Sequence, residues 1–451
     1  MNFSTVSSEA INSLKTINSA LNSIAWGWPT VTLISATGLV LMFGLRLMPL
    51  RRLVYGLKII FKEPDPSSQG EISPFQALMT SLSATIGIGN IVGVATAIAM
   101  GGPGAVFWMW IIALVGIATK YSEAVLAVHF REKDSIGKFV GGPMYYIKNG
   151  LGPSWYWLGG LFALFGMLAS FGIGNGVQCF EVSSALQTFN VPKEITAAII
   201  GVLVFIVIIG GISRIARAAS AIVPLMSVLY ILACFSIILL NVERIPSAFA
   251  AIFTDAFTGR AVAGGVFTKV LFEGFKRGIF SNEAGLGSAP IAHASANTND
   301  AVRQGSIAML GTFIDTIIIC TMTALVIILS GVNGPSGATL SIEAFNSSIA
   351  GSGALVTIAL AVFAFTTVLG WSYYGERCTE YLFGIKSILP FRLTWVAVAV
   401  FGAIAGDPNR NIVWGIADTL NGLMALPNLV ALLLLSGTVF RLTRSYRFDE
   451  A

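Results

Sequence analysis

Charged residues are scarce in this chain. Only 11% of its 451 residues are Asp, Glu, Lys or Arg, whereas 55% are hydrophobic, and the mean hydropathy is +0.80. A soluble globular domain carries about 25% charged residues, so this composition indicates a protein that crosses a membrane many times. The net charge of +5 does not indicate nucleic-acid binding, because the basic residues are distributed over separate loops between apolar segments.

Motifs that carry enzyme chemistry are also missing. The two histidines, His129 and His293, have no metal-ligand spacing, and the chain contains no Walker-type phosphate loop, no GxSxG elbow and no CxxC pair. The four cysteines lie in or beside apolar segments, where we interpret them as small buried hydrophobic residues. The sequence therefore argues against an enzyme and against an ATP-driven pump, and it favours a process driven by an ion gradient.

Long apolar runs are what the chain has instead. About eleven of them approach the ~20 residues that a helix needs to cross a bilayer, which predicts an all-α polytopic membrane protein. Residues before the first run lack the features of a cleaved signal peptide and are predicted to form an amphipathic segment along the membrane surface. The predicted spans, numbered in chain order, lie near residues 26–48, 75–100, 104–129, 156–180, 195–211, 218–240, 262–285, 305–330, 351–374, 391–406 and 412–437.

Basic residues mark every second connection between the spans. The first connection, for example, contains Arg46, Arg51, Arg52, Lys58 and Lys62, whereas the short turn between the second and third spans contains none. Cytoplasmic loops carry the excess of Lys and Arg. This alternation predicts a multi-pass protein of the cell membrane with its N-terminus outside and its C-terminus in the cytoplasm.

Spans two to six and spans seven to eleven form two sets of five, and each set begins with a glycine-interrupted helix. Because five is odd, the second set enters the membrane from the opposite side, which is an inverted repeat of the kind found in secondary transporters. We therefore predict an N-terminal segment with one extra span at 1–73, a first repeat at 74–245, a second repeat at 246–440 and a cytoplasmic tail at 441–451.

The second span is interrupted by the string SATIGIGNIVG, which runs from Ser83 to Gly93. Glycines weaken a helix, and an open turn within the membrane is tolerated only where it lines a cavity or is buried in protein. The half-helix that begins near Gly89 offers a positive dipole end to a carboxylate, and freed carbonyls suit a hard cation such as sodium. The alternative is that Gly89 and Gly93 are a small-residue packing pair of the GxxxG type.

The seventh span contains a second interruption, GFKRGIFSNEAGLG. Glu273 is placed to pair with Arg277 or Lys276, which favours a pathway or gate over charges that merely reach the membrane interface. We predict that Phe275 and Phe280 wall a substrate side chain. The predicted non-helical bridge consists of Gly278, Ile279, Phe280, Ser281 and Asn282.

Polar residues in two further spans are predicted to face the same cavity. In the fourth span Phe171 and Asn175 are one helical turn apart, and Gln178 lies close to their face. In the ninth span Thr366 and Thr367 are adjacent, one turn before Gly370 and Trp371. Their hydroxyls either bond to their own helix or complete an oxygen cage for sodium.

Asp315 of the eighth span is a further acid within the membrane. We predict that it pairs with Lys276 or Arg277, because a buried charge is costly without a partner.

Several of these strings resemble the alanine/glycine:cation symporter family, the sodium:alanine symporters. The most specific is GGPGAVFWMW, which begins at Gly101, and the others are SATIGIGNIVG, GGPMYYI, GIFSNEAGLGSAPIAHA and GWSYYGE. The resemblance extends over essentially the whole chain. It implies sodium-coupled uptake of alanine or glycine and a fold of the leucine-transporter type, with five plus five helices in an inverted repeat.

The resemblance also implies roles for individual residues. The amide nitrogens of Ile88 and Gly89 would hold the substrate carboxylate, and Thr85 and Asn90 match part of a further sodium site whose seventh-span portion has no clear match. The sodium ligands implied are Ser83, Ile86, Thr366 and Thr367. The full predicted substrate site is Thr85, Gly87, Ile88, Gly89, Asn90, Phe171, Asn175, Gln178, Phe275, Gly278, Ile279, Phe280, Ser281, Thr366, Gly370 and Trp371.

These observations predict a symporter that binds alanine or glycine together with sodium within the lipid bilayer and releases both on the inner side. Three alternatives are left open. They are a proton-coupled carrier that uses an acid such as Asp315 or Glu273, a channel, and a membrane enzyme.

Overall fold

Helices make up nearly all of the described chain. The structure is a computed structural model that describes residues 3–63, 66–257, 266–334, 337–405 and 412–448, and the predicted start of the seventh span at 262–265 lies outside this part. The strands Glu132–Lys133 and Phe139–Val140 pair as an antiparallel ribbon. The helices are Phe3–Ala25, Trp28–Gly44, Met48–Arg51, Leu53–Ile59, Pro74–Thr85, Val94–Gly101, Gly104–His129, Pro143–Leu151, Tyr156–Phe171, Val177–Gln187, Lys193–Ile208, Gly211–Leu240, Ile245–Phe257, Val266–Asn282, Ala289–His293, Ala301–Thr312, Thr321–Ser330, Ala338–Ser348, Gly353–Phe383, Ile388–Ile404, Ile412–Leu434 and Ser436–Ser445.

Within the described residues, eight helical stretches are long and apolar enough to cross a bilayer, and the bent pair Pro74–Thr85 and Gly89–Gly101 makes a ninth span. They correspond to the predicted spans one to four, six and eight to eleven. The fifth predicted span is the helix Lys193–Ile208, with 16 residues, and the seventh is the interrupted helix Val266–Asn282, with 17. The protein is thus an all-α, multi-pass membrane protein.

Among the residues that the structure describes, three spans contain a π-helical turn, at Gly89–Gly93, Gly172–Gly176 and Phe313–Cys320. A π turn inserts an extra residue into an α-helix and often occurs at functional sites. The three turns lie in the second, fourth and eighth spans.

The third span is largely buried and packs against the seventh and eighth spans. The fourth span packs against the ninth and eleventh, and the fifth against the tenth. Large apolar side chains of the fifth and sixth spans point outward, among them Val202, Leu225, Leu229 and Leu232. Such an exposed apolar face suits contact with lipid.

The N-terminal segment is helical and packs against the eleventh span. Its last residue, Ala25, is fully buried, and Asn22 forms side-chain hydrogen bonds to the eleventh span. The C-terminal end of the helix Phe3–Ala25 is therefore packed into the helix assembly.

Buried ion pairs cluster at the end of the ninth span that is predicted to be cytoplasmic. Arg377 contacts Glu376 at 2.6 Å, Glu380 at 2.7 Å and Asp134 at 3.9 Å, and Arg392 contacts Glu376 at 2.6 Å. Because Asp134 belongs to the loop after the third span, the cluster connects the ninth and tenth spans to that loop.

Candidate substrate and ion site

The second span is interrupted where the sequence predicts it. Ser73 and Gln76 form a capping box at the start of the helix Pro74–Thr85. After Thr85 the chain is extended at Ile86, and helical structure resumes at Gly89 with a bend of 53°. The N–H of Gly87 donates to Oδ1 of Asn90 at 2.9 Å. The next N–H groups belong to the first turn of a new half-helix, whose donors have no acceptor within the helix.

The seventh span is also interrupted, but later than predicted. Its helix continues to Asn282 and resumes at Ala289, so the predicted non-helical bridge at 278–282 is wrong. The turn uses left-handed backbone at Glu283 (φ +55°), Gly285 (φ +93°) and Gly287 (φ +84°). Such φ values favour glycine, and a glutamate in this conformation is uncommon.

Gly278 serves close packing instead of a turn. A Cβ atom at this position would lie 2.5 Å from Cγ2 of Ile112 in the third span. Gly274, one turn earlier, likewise approaches the backbone of Ala105. These glycines let the seventh span lie against the third.

The first interruption lies against the end of the seventh-span helix and against the ninth span. A Cβ atom on Gly89 would lie 3.2 Å from Cα of Ser281, and one on Gly87 would lie 2.6 Å from Oγ1 of Thr367. Gly93, in contrast, has no described atom within 4 Å of its Cβ position, so a packing pair formed by Gly89 and Gly93 is wrong. The unwound backbone is therefore held directly against the seventh and ninth spans.

A small cavity of about 20 Å³ lies between these elements. It is lined by the second, fourth, seventh, ninth and eleventh spans. The lining residues are Ala84, Thr85, Gly87, Ile88, Gly89, Ile173, Gln178, Phe280, Glu283, Thr367, Trp371 and Asn421.

Eight of these residues belong to the predicted substrate or sodium sets, namely Thr85, Gly87, Ile88, Gly89, Gln178, Phe280, Thr367 and Trp371. The other predicted residues lie outside the lining, and these are Ser83, Ile86, Asn90, Phe171, Asn175, Phe275, Gly278, Ile279, Ser281, Thr366 and Gly370.

Hydrogen-bond acceptors from the fourth, seventh and eleventh spans line the cavity, namely Gln178, Glu283 and Asn421. Oε1 of Glu283 accepts a hydrogen bond from the indole N–H of Trp371 at 3.1 Å, and Oε2 accepts one from the hydroxyl of Ser288. The buried Oε1 of Gln178 and Oδ1 of Asn421 accept no hydrogen bond from any residue that the structure describes. Unpaired buried acceptors are costly, so these atoms favour a ligand or water that donates hydrogen bonds.

The predicted substrate site did not include Asn421 or Glu283. Both are polar residues within predicted apolar spans, and such residues are rare unless they face the protein interior or a cavity, so their position in the sequence was an indication.

Phe171 and Asn175 do lie on one face of the fourth span, but that face is covered by the tenth span. The Phe171 ring lies 5.2 Å from Phe391 and 5.6 Å from Trp395, and the Asn175 amide donates to the carbonyl of Trp395 at 2.9 Å. Phe275 packs on Trp108 of the third span, at 5.8 Å between ring centroids. These three side chains support the helices around the cavity.

Asp315 forms a buried polar cluster beside the cavity. Its carboxylate accepts hydrogen bonds from Asn90 at 2.7 Å, Ser281 at 2.8 Å and Thr316 at 2.8 Å. The predicted pairing with Lys276 or Arg277 is therefore wrong, and hydrogen bonds satisfy this carboxylate instead. The cluster joins the π turns of the second and eighth spans to the end of the seventh-span helix.

The predicted pair of Glu273 and Arg277 is present, at 3.6 Å between Oε2 and Nε. It lies on the half of the seventh span that precedes the interruption.

Thr366 and Thr367 both bond to their own helix. Their hydroxyls donate to the carbonyl of Phe363 at 2.9 and 3.0 Å, and Thr366 also lies against Met226 of the sixth span. Only Thr367 lines the cavity. Each hydroxyl oxygen keeps a lone pair for a ligand, because donation uses only its hydrogen.

No group of three or more His, Cys, Asp or Glu side chains that would hold a metal occurs in the described part of the chain. Carbonyl, hydroxyl and amide oxygens, together with the carboxylates of Asp315 and Glu283, are the oxygen ligands present around the two interruptions. Oxygen donors of this kind suit hard cations.

Comparison with known proteins agrees with this architecture. The chain shares 48% identity with the sodium/alanine symporter AgcS of Methanococcus maripaludis, over 94% of this chain and 96% of that protein. It shares 35% identity with the putative sodium/proton-dependent alanine carrier protein YrbD of Bacillus subtilis, over 95% and 91%.

The fold is similar to that of the transporter MhsT, solved in complex with L-phenylalanine. The TM-score is 0.54 at 14% identity, and the match covers 83% of this chain and 99% of MhsT. This likeness shows the leucine-transporter type of fold. The profile of the sodium:alanine symporter family matches residues 11–450, and the chain belongs to that family of transporters.

Proposed function

We propose that the protein is a sodium-coupled symporter that imports small neutral amino acids, with alanine as the main substrate and glycine as a second one. The observation that carries this proposal is the cavity between two interrupted helices, which combines free helix N-terminal donors with unpaired acceptors. A zwitterion needs both kinds of group. The name of the AgcS relative supports alanine and sodium.

The substrate carboxylate binds at the N–H groups of Ile88 and Gly89, where the positive end of the half-helix favours an anion. The substrate ammonium faces Glu283, with Gln178 and Asn421 as further acceptors. Because the acceptors and the helix end line the same cavity, one small zwitterion contacts both.

The side chain of the substrate lies against Ile173, Phe280 and Trp371. These bulky residues favour a side chain as small as a methyl group and exclude longer side chains by steric clash. Discrimination between alanine and glycine is weaker, because one methyl group in an apolar pocket contributes only about 1–3 kcal/mol.

Sodium binds to carbonyl oxygens of Ser83 and Ile86 together with the hydroxyls of Thr366 and Thr367. The close approach of Gly87 to Thr367 supports this location, because it brings the interrupted segment against the ninth span. Sodium then stabilises the geometry of the second span that binds substrate, which makes the coupling thermodynamic. The Asp315 cluster, with Asn90 and Ser281, is the candidate for a further cation.

Transport follows from alternating access of this site to the two sides of the cell membrane. We propose the N-terminus outside, the C-terminus in the cytoplasm, and two five-helix repeats at 74–245 and 246–440 between the segments 1–73 and 441–451. The alternation of basic loops and the positions of the two interruptions support this arrangement.

Proton coupling is the second candidate, because the name of the YrbD relative includes both ions and because Asp315 and Glu283 are buried acids beside the cavity. The test is uptake of labelled alanine into liposomes that contain the purified protein. Sodium coupling predicts saturable uptake under an inward sodium gradient and none under a pH gradient in sodium-free buffer. Strong sodium-free uptake under a pH gradient would overturn the sodium proposal, and non-saturable flux would favour a channel.

A further inference from the structure

Trp26, the residue after the N-terminal helix Phe3–Ala25, packs behind one wall of the substrate cavity. The ring of Trp26 lies 5.8 Å from that of Phe280, which lines the cavity. Trp26 is only 3% exposed although it lies close to the N-terminus of the chain. It belongs to the segment before the repeats, so the two sets of five spans do not supply this contact themselves.

The same segment is hydrogen-bonded to the eleventh span. The indole N–H of Trp26 donates to the carbonyl of Asp418 at 2.9 Å. The Asn22 amide donates to Oδ2 of Asp418 and to Oγ1 of Thr419, each at 3.0 Å, and the Thr419 hydroxyl donates to Oδ1 of Asn18 at 2.9 Å. Two residues after Thr419 the same helix contributes Asn421 to the cavity.

Close backbone packing fixes this contact. A Cβ atom on Gly422 would lie 2.8 Å from the carbonyl oxygen of Ala25, so the N-terminal helix and the eleventh span approach as closely as a glycine allows. Asp418 also interacts electrostatically with Lys276 and Arg277 of the seventh span. Three elements therefore meet above the cavity: the N-terminal helix, the seventh span and the eleventh span.

We propose that Asn18, Asn22 and Trp26 form an outer lid of the substrate cavity, in which Trp26 is a positioning residue for Phe280. This inference rests on the proposed function. Trp26 does not line the cavity and acts through the Phe280 ring, which it holds inward. Asn18 and Asn22 hold the start of the eleventh span in place, and with it Asn421.

The lid sets the room available to the substrate side chain. Without the Trp26 ring, Phe280 can turn away from the cavity and leave space for a longer side chain. One methylene group of extra room changes discrimination by about 10- to 200-fold in an apolar pocket. Loss of the lid should therefore change selectivity between substrates, and not merely the amount of active protein.

Trp28 provides a matched control. It lies two residues after Trp26 and packs on Phe272 of the same seventh span at 5.1 Å, but it is 45% exposed, and Phe272 does not line the cavity. Trp26→Ala should raise the KM for alanine at least threefold and lower the alanine-to-valine selectivity about tenfold, while Trp28→Ala leaves both within twofold. Equal effects of the two substitutions, or a lower maximal rate with unchanged selectivity, would overturn the proposal.

Two milder variants keep the test valid if Trp26→Ala does not fold, as judged by gel filtration. Trp26→Phe retains a ring against Phe280 and should preserve selectivity, whereas Asn22→Ala should raise the KM for alanine because the eleventh span loses two hydrogen bonds. Loss of selectivity in Trp26→Phe together with wild-type kinetics in Asn22→Ala would contradict the lid.

A labelling assay separates the lid from the identity of the substrate. The four native cysteines and Asn421 are all buried, so labelling of a cysteine introduced as Asn421→Cys by a membrane-impermeant methanethiosulfonate reagent reports opening of the cavity, with the protein that lacks this substitution as the background. Adding Trp26→Ala should accelerate labelling several-fold relative to adding Trp28→Ala, whether or not alanine proves to be the substrate. Equal labelling rates would refute the lid and leave the proposed transport function untouched.

Discussion

The indole N–H of Trp371 donates a hydrogen bond of 3.1 Å to Oε1 of Glu283. This contact joins the ninth span to the interruption of the seventh, and both residues line the same cavity. Since the second oxygen of Glu283 accepts from Ser288, the carboxylate is held in one orientation and faces the space where we place the substrate ammonium.

Glu283→Gln tests the role of this charge. Glutamine keeps an oxygen for Trp371 but removes the negative charge, and a hydrogen bond to a charged group contributes about 1.5–3 kcal/mol. Alanine affinity should fall about 10- to 100-fold, with little change in the thermal midpoint. The measurement is equilibrium binding of labelled alanine to the purified protein in saturating sodium.

If Glu283 instead carries a coupling proton, Glu283→Gln would retain alanine binding and lose the dependence of uptake on a pH gradient. That result would contradict its assignment as the ammonium partner.

Gly89→Val should abolish alanine binding. A Cβ atom at this position would already lie 3.2 Å from Cα of Ser281, so a branched side chain pushes the first interruption away from the seventh span. Gly93→Ala is the matched control on the same turn, because its Cβ would meet no described atom within 4 Å. Binding titrations of both variants make the comparison, and normal alanine affinity in Gly89→Val would remove the backbone of this turn from the site.

Thr366→Ala and Thr367→Ala should each raise the sodium concentration needed for half-maximal uptake, and Thr367→Ala should do so more strongly, because only Thr367 lines the cavity against Gly87. Thr357→Ala is the control, since its buried hydroxyl bonds to the carbonyl of Gly353 on the same helix, away from the site. Sodium titrations of alanine uptake give the answer. Unchanged sodium dependence in both variants would exclude the two hydroxyls as ligands.

Arg377→Met should destabilise the protein strongly. Arg392 still pairs with Glu376, but Glu380 loses its close partner, and removal of one member of a buried ion pair costs about 3–5 kcal/mol. Lys148→Met breaks the pair with Glu132, in which both side chains are about a third exposed, and should cost at most about 1 kcal/mol. Thermal midpoints in detergent compare the two, and similar midpoints would show that the Arg377 cluster adds little stability.

The first interruption could be predicted because its signal is local. Glycines and polar residues in the middle of an apolar run do not form a stable lipid-facing helix. The helix break at Gly87 and Gly89 can therefore be located from the adjacent residues in the sequence. The spans are predictable for a similar reason, because the bilayer imposes a minimum length on an apolar helix.

The second interruption was placed too early because glycine has two uses. Gly274 and Gly278 permit close packing on the third span, whereas Gly285 and Gly287 supply the left-handed backbone of the turn. Sequence alone does not distinguish these uses, since the distinction depends on which helix lies alongside.

The sequence also does not determine how each helix is rotated about its axis, and therefore which face points toward the cavity. Phe171 and Asn175 share a face as predicted, but the tenth span covers that face, while Gln178 reaches the cavity. Helical periodicity predicts which residues share a face of a helix, but it does not predict which other helix packs against that face. Asn421 and Trp26 were missed for this reason, because their roles depend on contacts between the two ends of the chain.

The most direct test of sodium-coupled transport at the interrupted second span is alanine uptake by liposomes that contain either the wild-type protein or Gly89→Val, measured with and without an inward sodium gradient. We expect saturable, sodium-dependent uptake by the wild type and background uptake by the variant, provided that the variant elutes as folded protein. Sodium-independent uptake by the wild type, or wild-type uptake by Gly89→Val, would contradict this expectation.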